Sequence, residues 1–178
     1  YCNKLFLINN NSSFNLTLGD TSYWYIAYYA KEIVLPNTES TKFYNDSHGF
    51  MYYLEGDTYV LYGYNGNETT LVLPEKANGK SYILGEEVFG NNKTLKKVVF
   101  TSGIKTISKR LFLYCTNLEE VVLPDTLETI DDQAFYGCKS LKAITIPNTV
   151  SYIGNDAFFS CDSLESVTFE EGSCLQTL

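Results

Sequence analysis

The side chains with chemistry to offer are few: five cysteines, a single histidine and two close sets of aspartates in a chain of 178 residues. Cysteines hold zinc, form disulfides or act as nucleophiles, and each use demands its own spacing. Cys115, Cys138 and Cys161 recur every 23 residues, with no Cys-x-x-Cys pair and no neighbouring histidine to complete a tetrahedral zinc site. Packing, by contrast, favours a long fixed period, because it sets like residues above one another and makes each thiol a small apolar core residue. The distance between such positions would permit a disulfide, but parallel Cβ vectors fit its geometry poorly. Cys174 falls outside the series and is expected to be exposed.

His48 lies beside Gly49 in a polar stretch and reads as a surface residue. A catalytic role would need an exposed thiol or carboxylate within hydrogen-bonding reach of it. Asp131 with Asp132, or Asp46 with Asp57, would offer oxygen to calcium, but neither set has the glycine and alternating-oxygen spacing of a calcium loop. No phosphate-cradling glycine loop is present. The reading is of a chain without catalytic, cofactor-binding or metal-binding residues.

The elements that space the cysteines are three blocks that follow one another without a gap. They run Leu95–Asn117, Leu118–Ser140 and Leu141–Ser163, each 23 residues long. In the middle block the apolar or small positions are Leu118, Val121, Leu123, Leu127, Ile130, Ala134, Phe135 and Cys138. Val121 and Leu123 alternate with Glu120 and Val122, as in a strand with one buried face. Pro124 and Pro147 end their strands, since proline cannot donate to a ladder. The polar run and Ala-Phe that follow Ile130 and Ile153 are read as a helical or 3₁₀ turn closing each coil.

One such block cannot bury its own apolar face, whereas stacked copies share a continuous core, so the period predicts a solenoid with a parallel sheet along one side. Relaxing the pattern recovers two more coils. Leu71–Pro74 with Leu84, Gly85, Val88 and Phe89 has a longer loop around Asn78-Gly79-Lys80, and Leu164, Val167 and Phe169 open a block with extra residues around Gly172. Cys2 precedes Leu5 as the other cysteines precede Leu118, Leu141 and Leu164, so residues 1–8 read as the tail of an earlier repeat and the chain as an internal piece of a longer protein.

Between residues 9 and 70 the period is lost and Asn, Ser and Tyr become frequent. TSYWYIAYYAKE reads as a short packed helix capped by Asp20 or Thr21, PNTESTKFYNDSHG as a loop, and FMYYLEGDTYVLYGY as a hairpin turning at Glu55-Gly56-Asp57. Its aromatics are read as filling a joint between solenoid segments, with Tyr23 and Trp24 the candidate exposed aromatics.

A formal charge of −8 argues against nucleic acid, whose affinity rests on Lys and Arg neutralising phosphate. The longest apolar run, near Tyr23 to Ile33, is broken by Lys31 and Glu32 well short of the roughly 20 residues that span a bilayer. The N-terminal residues lack the basic start and apolar run of a signal peptide.

The segment LPDTLETIDDQAFYGCKSLKAITIPNTVSYIGNDAFFSC resembles the BspA-like, or Treponema pallidum-type, leucine-rich repeat. The segment GFMYYLEGDTYVLYGYNGNETTLVLPEKANGKSY resembles spacers between repeat blocks in such proteins from gut Firmicutes. The resemblance implies an α/β fold: a right-handed leucine-rich-repeat solenoid of short parallel strands and helical or 3₁₀ turns over residues 71–178, preceded over 9–70 by a spacer with a short helix and a β-hairpin. It also implies a secreted or cell-surface protein that adheres to a protein or glycan on host or neighbouring cells. The competing reading is a rigid spacer holding another domain away from the cell wall. Asn92 stands where cysteine is expected, Leu111 where alanine is, and Thr101 and Glu170 where proline is. The candidate ligand-facing residues are the outward strand positions Lys97, Val99, Glu120, Val122, Ala143, Thr145, Ser166 and Thr168, two columns of small and mixed-charge side chains.

Overall fold

The computed structural model describes residues 32–33 and 41–175. Its first sheet is built where aromatic residues crowd the sequence. Strands β1 (Glu32–Ile33), β2 (Thr41–Asn45), β3 (Phe50–Glu55) and β4 (Thr58–Tyr64) pair antiparallel in chain order. The hairpin β3–β4 turns at Gly56, whose φ of 58° suits a residue without Cβ, so this expected element forms where its turn signal lies. The stretch read as a loop contains β2 instead, since Phe43 and Tyr44 are β-formers that pair with β3 despite the Asn, Asp, Ser and Gly beside them. The helix expected over residues 21–32 lies outside the described residues except for Glu32, which is a strand residue opposite Lys42.

Four coils of the repeat then supply two short strands each, and the last described coil supplies one. The first set is β5 (Thr70–Val72), β7 (Lys97–Val99), β9 (Glu120–Val122), β11 (Ala143–Ile146) and β13 (Ser166–Phe169). Strands β5, β7 and β9 pair in parallel, as do β11 and β13, with Leu71, Val98, Val121 and Ile144 buried on the inner face. Between β9 and β11 the ladder thins to a bond of 3.5 Å from Lys142 N–H to the Glu119 carbonyl. The second set was not read in the sequence: β6 (Tyr82–Leu84), β8 (Thr106–Ile107), β10 (Thr129–Ile130) and β12 (Tyr152–Ile153). In it β8, β10 and β12 pair in parallel, while β6 pairs in parallel with β4. The hairpin therefore continues the solenoid, with β4 taking the place of a coil against β6.

The turns expected to be helical are not. Among the described residues no helix forms, because the four coils that close carry two left-handed residues four apart: Glu87 and Asn91, Arg110 and Tyr114, Gln133 and Gly137, Asp156 and Ser160. A left-handed residue reverses the chain and ends any helical run. Alternate amides face different partners. Phe112 N–H donates to the Ala134 carbonyl of the next coil at 2.8 Å, while Leu113 N–H donates within its own coil to Arg110 at 2.9 Å. The inter-coil ladder thus runs on through the turn and satisfies backbone groups that a helix would have paired internally.

Inside, the repeat stacks one phenylalanine per coil. Phe89, Phe112, Phe135 and Phe158 lie face to face with centroids 5.1, 5.5 and 5.3 Å apart. Tyr64 extends the stack into the hairpin, its ring 5.7 Å from that of Phe89. Around them Leu95, Leu118, Leu141, Ile107, Ile130 and Leu127 are fully buried, and Leu111 occupies the position held by Ala134 and Ala157 without becoming exposed.

Candidate functional site

The cysteine series is an internal column. Cys115 and Cys138 are buried and Cys161 is half-buried, while Cys174 is exposed as its place outside the period suggests. Each column thiol donates to a phenylalanine carbonyl of the preceding coil: Cys115 to Phe89 at 3.0 Å, Cys138 to Phe112 at 3.3 Å and Cys161 to Phe135 at 3.2 Å. Burial pushes the Cys115 thiol up to about 12 and that of Cys161 to about 11, and raises Cys138 as well. Such thiols stay protonated at neutral pH and are poor nucleophiles. Asn92, in the cysteine position of the first coil, caps the turn instead, its Oδ1 accepting from Thr94 and Leu95 amides at 2.8 and 3.0 Å.

The other candidates for chemistry are engaged in local structure. His48 is exposed, with Nδ1 3.5 Å from Ser47 Oγ. Asp46 Oδ1 accepts from the amides of His48 and Phe50, and Asp57 lies 3.8 Å from Lys80. Asp131 Oδ1 accepts from the Asp132 amide, and Asp132 Oδ1 from that of Asn155. Among the described residues, no group of three His, Cys, Asp or Glu is placed to hold a metal ion.

The outward strand positions form aligned columns. Lys97 stands opposite Glu120 and Val99 opposite Val122; Ala143 stands opposite Ser166 and Thr145 opposite Thr168. Lys97 and Val99 are half-buried, and the other six are exposed. Thr70 and Val72 on β5 extend both columns by one coil; sequence reasoning recovered that coil through Leu71–Pro74 but did not carry its outward positions into the columns. One column opens on the Lys97–Glu120 pair at 2.7 Å and goes on to Ala143 and Ser166. The other is β-branched throughout and includes Val72, 56% exposed, and Val122, 40% exposed. Tyr23 and Trp24 lie outside the described residues.

Ion pairs tie successive coils at the same period. Lys96 with Glu119, Lys105 with Glu128, Lys109 with Asp132 and Lys139 with Asp162 lie 3.7, 2.7, 3.9 and 3.5 Å apart. All are exposed or half-exposed, so each contributes well under about 1 kcal/mol. Their effect is to neutralise the flanks. A second surface feature, absent from sequence reasoning, is a groove of about 820 Å³ beside the hairpin, lined by β3, β4, β6 and the turns of the next coils. Its residues lie as far apart in the chain as Tyr53 and Asp131, so no local motif announces it.

A family model described as the BspA type leucine-rich repeat region matches residues 62–176 in six copies. Among curated proteins, none matches the chain. Of solved structures, a leucine-rich-repeat protein from Bacteroides capillosus is 28% identical with a TM-score of 0.63, over 74% of this chain and 99% of that one. The T. pallidum leucine-rich repeat protein is 27% identical with a TM-score of 0.58, over 69% of this chain and 70% of that one. The pneumococcal vaccine antigen PcpA, 20% identical over 76% of this chain and 40% of its own, shares the fold with a TM-score of 0.61. With six copies of the repeat matched over more than half its length, the chain belongs to the BspA-type leucine-rich repeat family.

Proposed function

We propose that this chain is a non-catalytic binding module of a secreted or cell-surface protein, and that it adheres to a protein or glycan on host or neighbouring cells through its outward strand columns. The observation that carries this reading is the set of aligned outward positions: Glu120, Val122, Ala143, Thr145, Ser166 and Thr168 are exposed and in register, yet contribute nothing to the core. A ligand bound there would meet many shallow contacts repeated at the coil spacing rather than one deep pocket. Leucine-rich repeats are protein-binding modules as a class, which supports a protein before a glycan.

The test is replacement of Glu120, Val122 and Thr145 together by alanine, followed by screening on protein and glycan arrays and on whole cells. Retained folding with at least about tenfold weaker binding, about 1.4 kcal/mol, is the expected result. Unchanged adhesion by the folded variant would remove the strand columns as the receptor face and favour a role as a rigid spacer.

A further inference from the structure

The groove beside the hairpin has a chemistry of its own. Its floor is apolar and aromatic: Tyr53 and Tyr62, with ring centroids 6.0 Å apart, together with Ile83, which is 54% exposed, and Val88. Its rim is anionic, with Glu55, Glu86, Glu87 and Asp131. None of these four carboxylates pairs with a lysine or arginine among the described residues, unlike Glu119, Glu120, Glu128, Asp132 and Asp162 on the coil flanks. The one cation lining the groove among the described residues, Lys109, lies 3.9 Å from Asp132. The volume lies within the range of about 300–1,000 Å³ typical of ligand sites.

An apolar floor beneath uncompensated carboxylates matches a ligand of the inverse pattern. Lys and Arg carry long apolar stems that lie on aromatic and aliphatic surface while the charged head reaches a carboxylate, and the guanidinium also stacks on tyrosine faces. The neighbouring carboxylates lower the potential across the groove and steer cations into it. From this complementarity of charge and shape we infer that the groove binds an extended basic peptide segment of a partner protein, one with arginines or lysines interleaved with apolar residues. The site uses β3, β4, β6 and the coil turns, and is independent of the outward columns of β5, β7, β9, β11 and β13.

The probe is a fluorescein-labelled peptide of alternating Arg and Leu, titrated by anisotropy at two salt concentrations. Glu86→Gln with Glu87→Gln should weaken binding about tenfold. Glu165→Gln with Glu171→Gln, which removes the same charge from exposed positions elsewhere, should change it less than about twofold. Ile83→Ser should also weaken it, and the alanine variant of Glu120, Val122 and Thr145 should leave it unchanged, which separates this site from the adhesive reading above. Equal losses in the two glutamate pairs would mean diffuse attraction to an acidic protein and would overturn the proposal. So would indifference to Ile83→Ser in a variant that melts like the parent, or preferential binding of an uncharged oligosaccharide in the same groove.

Discussion

At the scale of single residues, the thiol column couples the period to pH. In the folded chain Cys115 and Cys138 are neutral because charge is costly in the core, and their thiols titrate well above the ordinary value of 9.0. A raised acid pKa stabilises the fold fully below the unfolded value, and that contribution drains away as pH climbs from about 9 towards the folded values. Tyr52 and Tyr82, raised by burial in the aromatic cluster of the first sheet, act in the same direction at still higher pH. We therefore expect the urea midpoint to be flat from neutrality to about pH 9 and to fall beyond it. At neutral pH a maleimide should label Cys174 and leave Cys115 and Cys138 unlabelled until the chain unfolds, as read by peptide mass. Rapid labelling of Cys138 in folded protein would contradict the buried, hydrogen-bonded thiol.

At the scale of the element, the turn decides how a coil closes. Gly137 holds a φ of 72°, and a Cβ built there would lie 2.5 Å from the ring of Tyr114 in the previous coil. Gly137→Ala therefore meets both the left-handed backbone penalty, about 1–2 kcal/mol, and an aromatic ring packed edge-on against Tyr136. Gly56→Ala is the comparison, because its φ is 58° but nothing lies within 4 Å of the added carbon. Denaturation should show the larger loss at Gly137; equal losses would mean that the outer aromatic row of Tyr114, Tyr136 and Phe159 yields freely. These turns also mark where the sequence stops being legible. Leu118, Val121, Ile130, Phe135 and Cys138 announce their burial by period alone, and Gly56 announces the hairpin. Arg110, Tyr114 and Gln133 are not residue types that signal a left-handed backbone, so a helical turn is the natural but mistaken reading. The two-residue strands β8 and β10 are too short for alternation to register, and the outward columns were legible only because their inward neighbours were.

At the scale of the whole molecule, the period makes coils interchangeable. Removing one complete block, Leu118–Ser140, would bring Leu141 directly after Asn117 and set Phe158 over Phe112, Cys161 over Cys115 and Ile153 over Ile107, so every internal ladder would close again. The ion pairs would not: Lys97 would face Ala143 and Lys105 would face Ser151, losses that are small for exposed pairs. Solenoid stability is close to a sum over units and their neighbour interfaces, so the shortened chain should remain folded with a lower melting temperature. A deletion that also takes Leu141 would put every later residue one place out of register, turning inward side chains of the strands outward and the reverse. Circular dichroism and thermal melting of the two deletions should therefore separate a cooperative, strand-rich protein from one that does not fold. If both deletions folded equally well, the alignment of like residues at 23 would not be what holds the coils together.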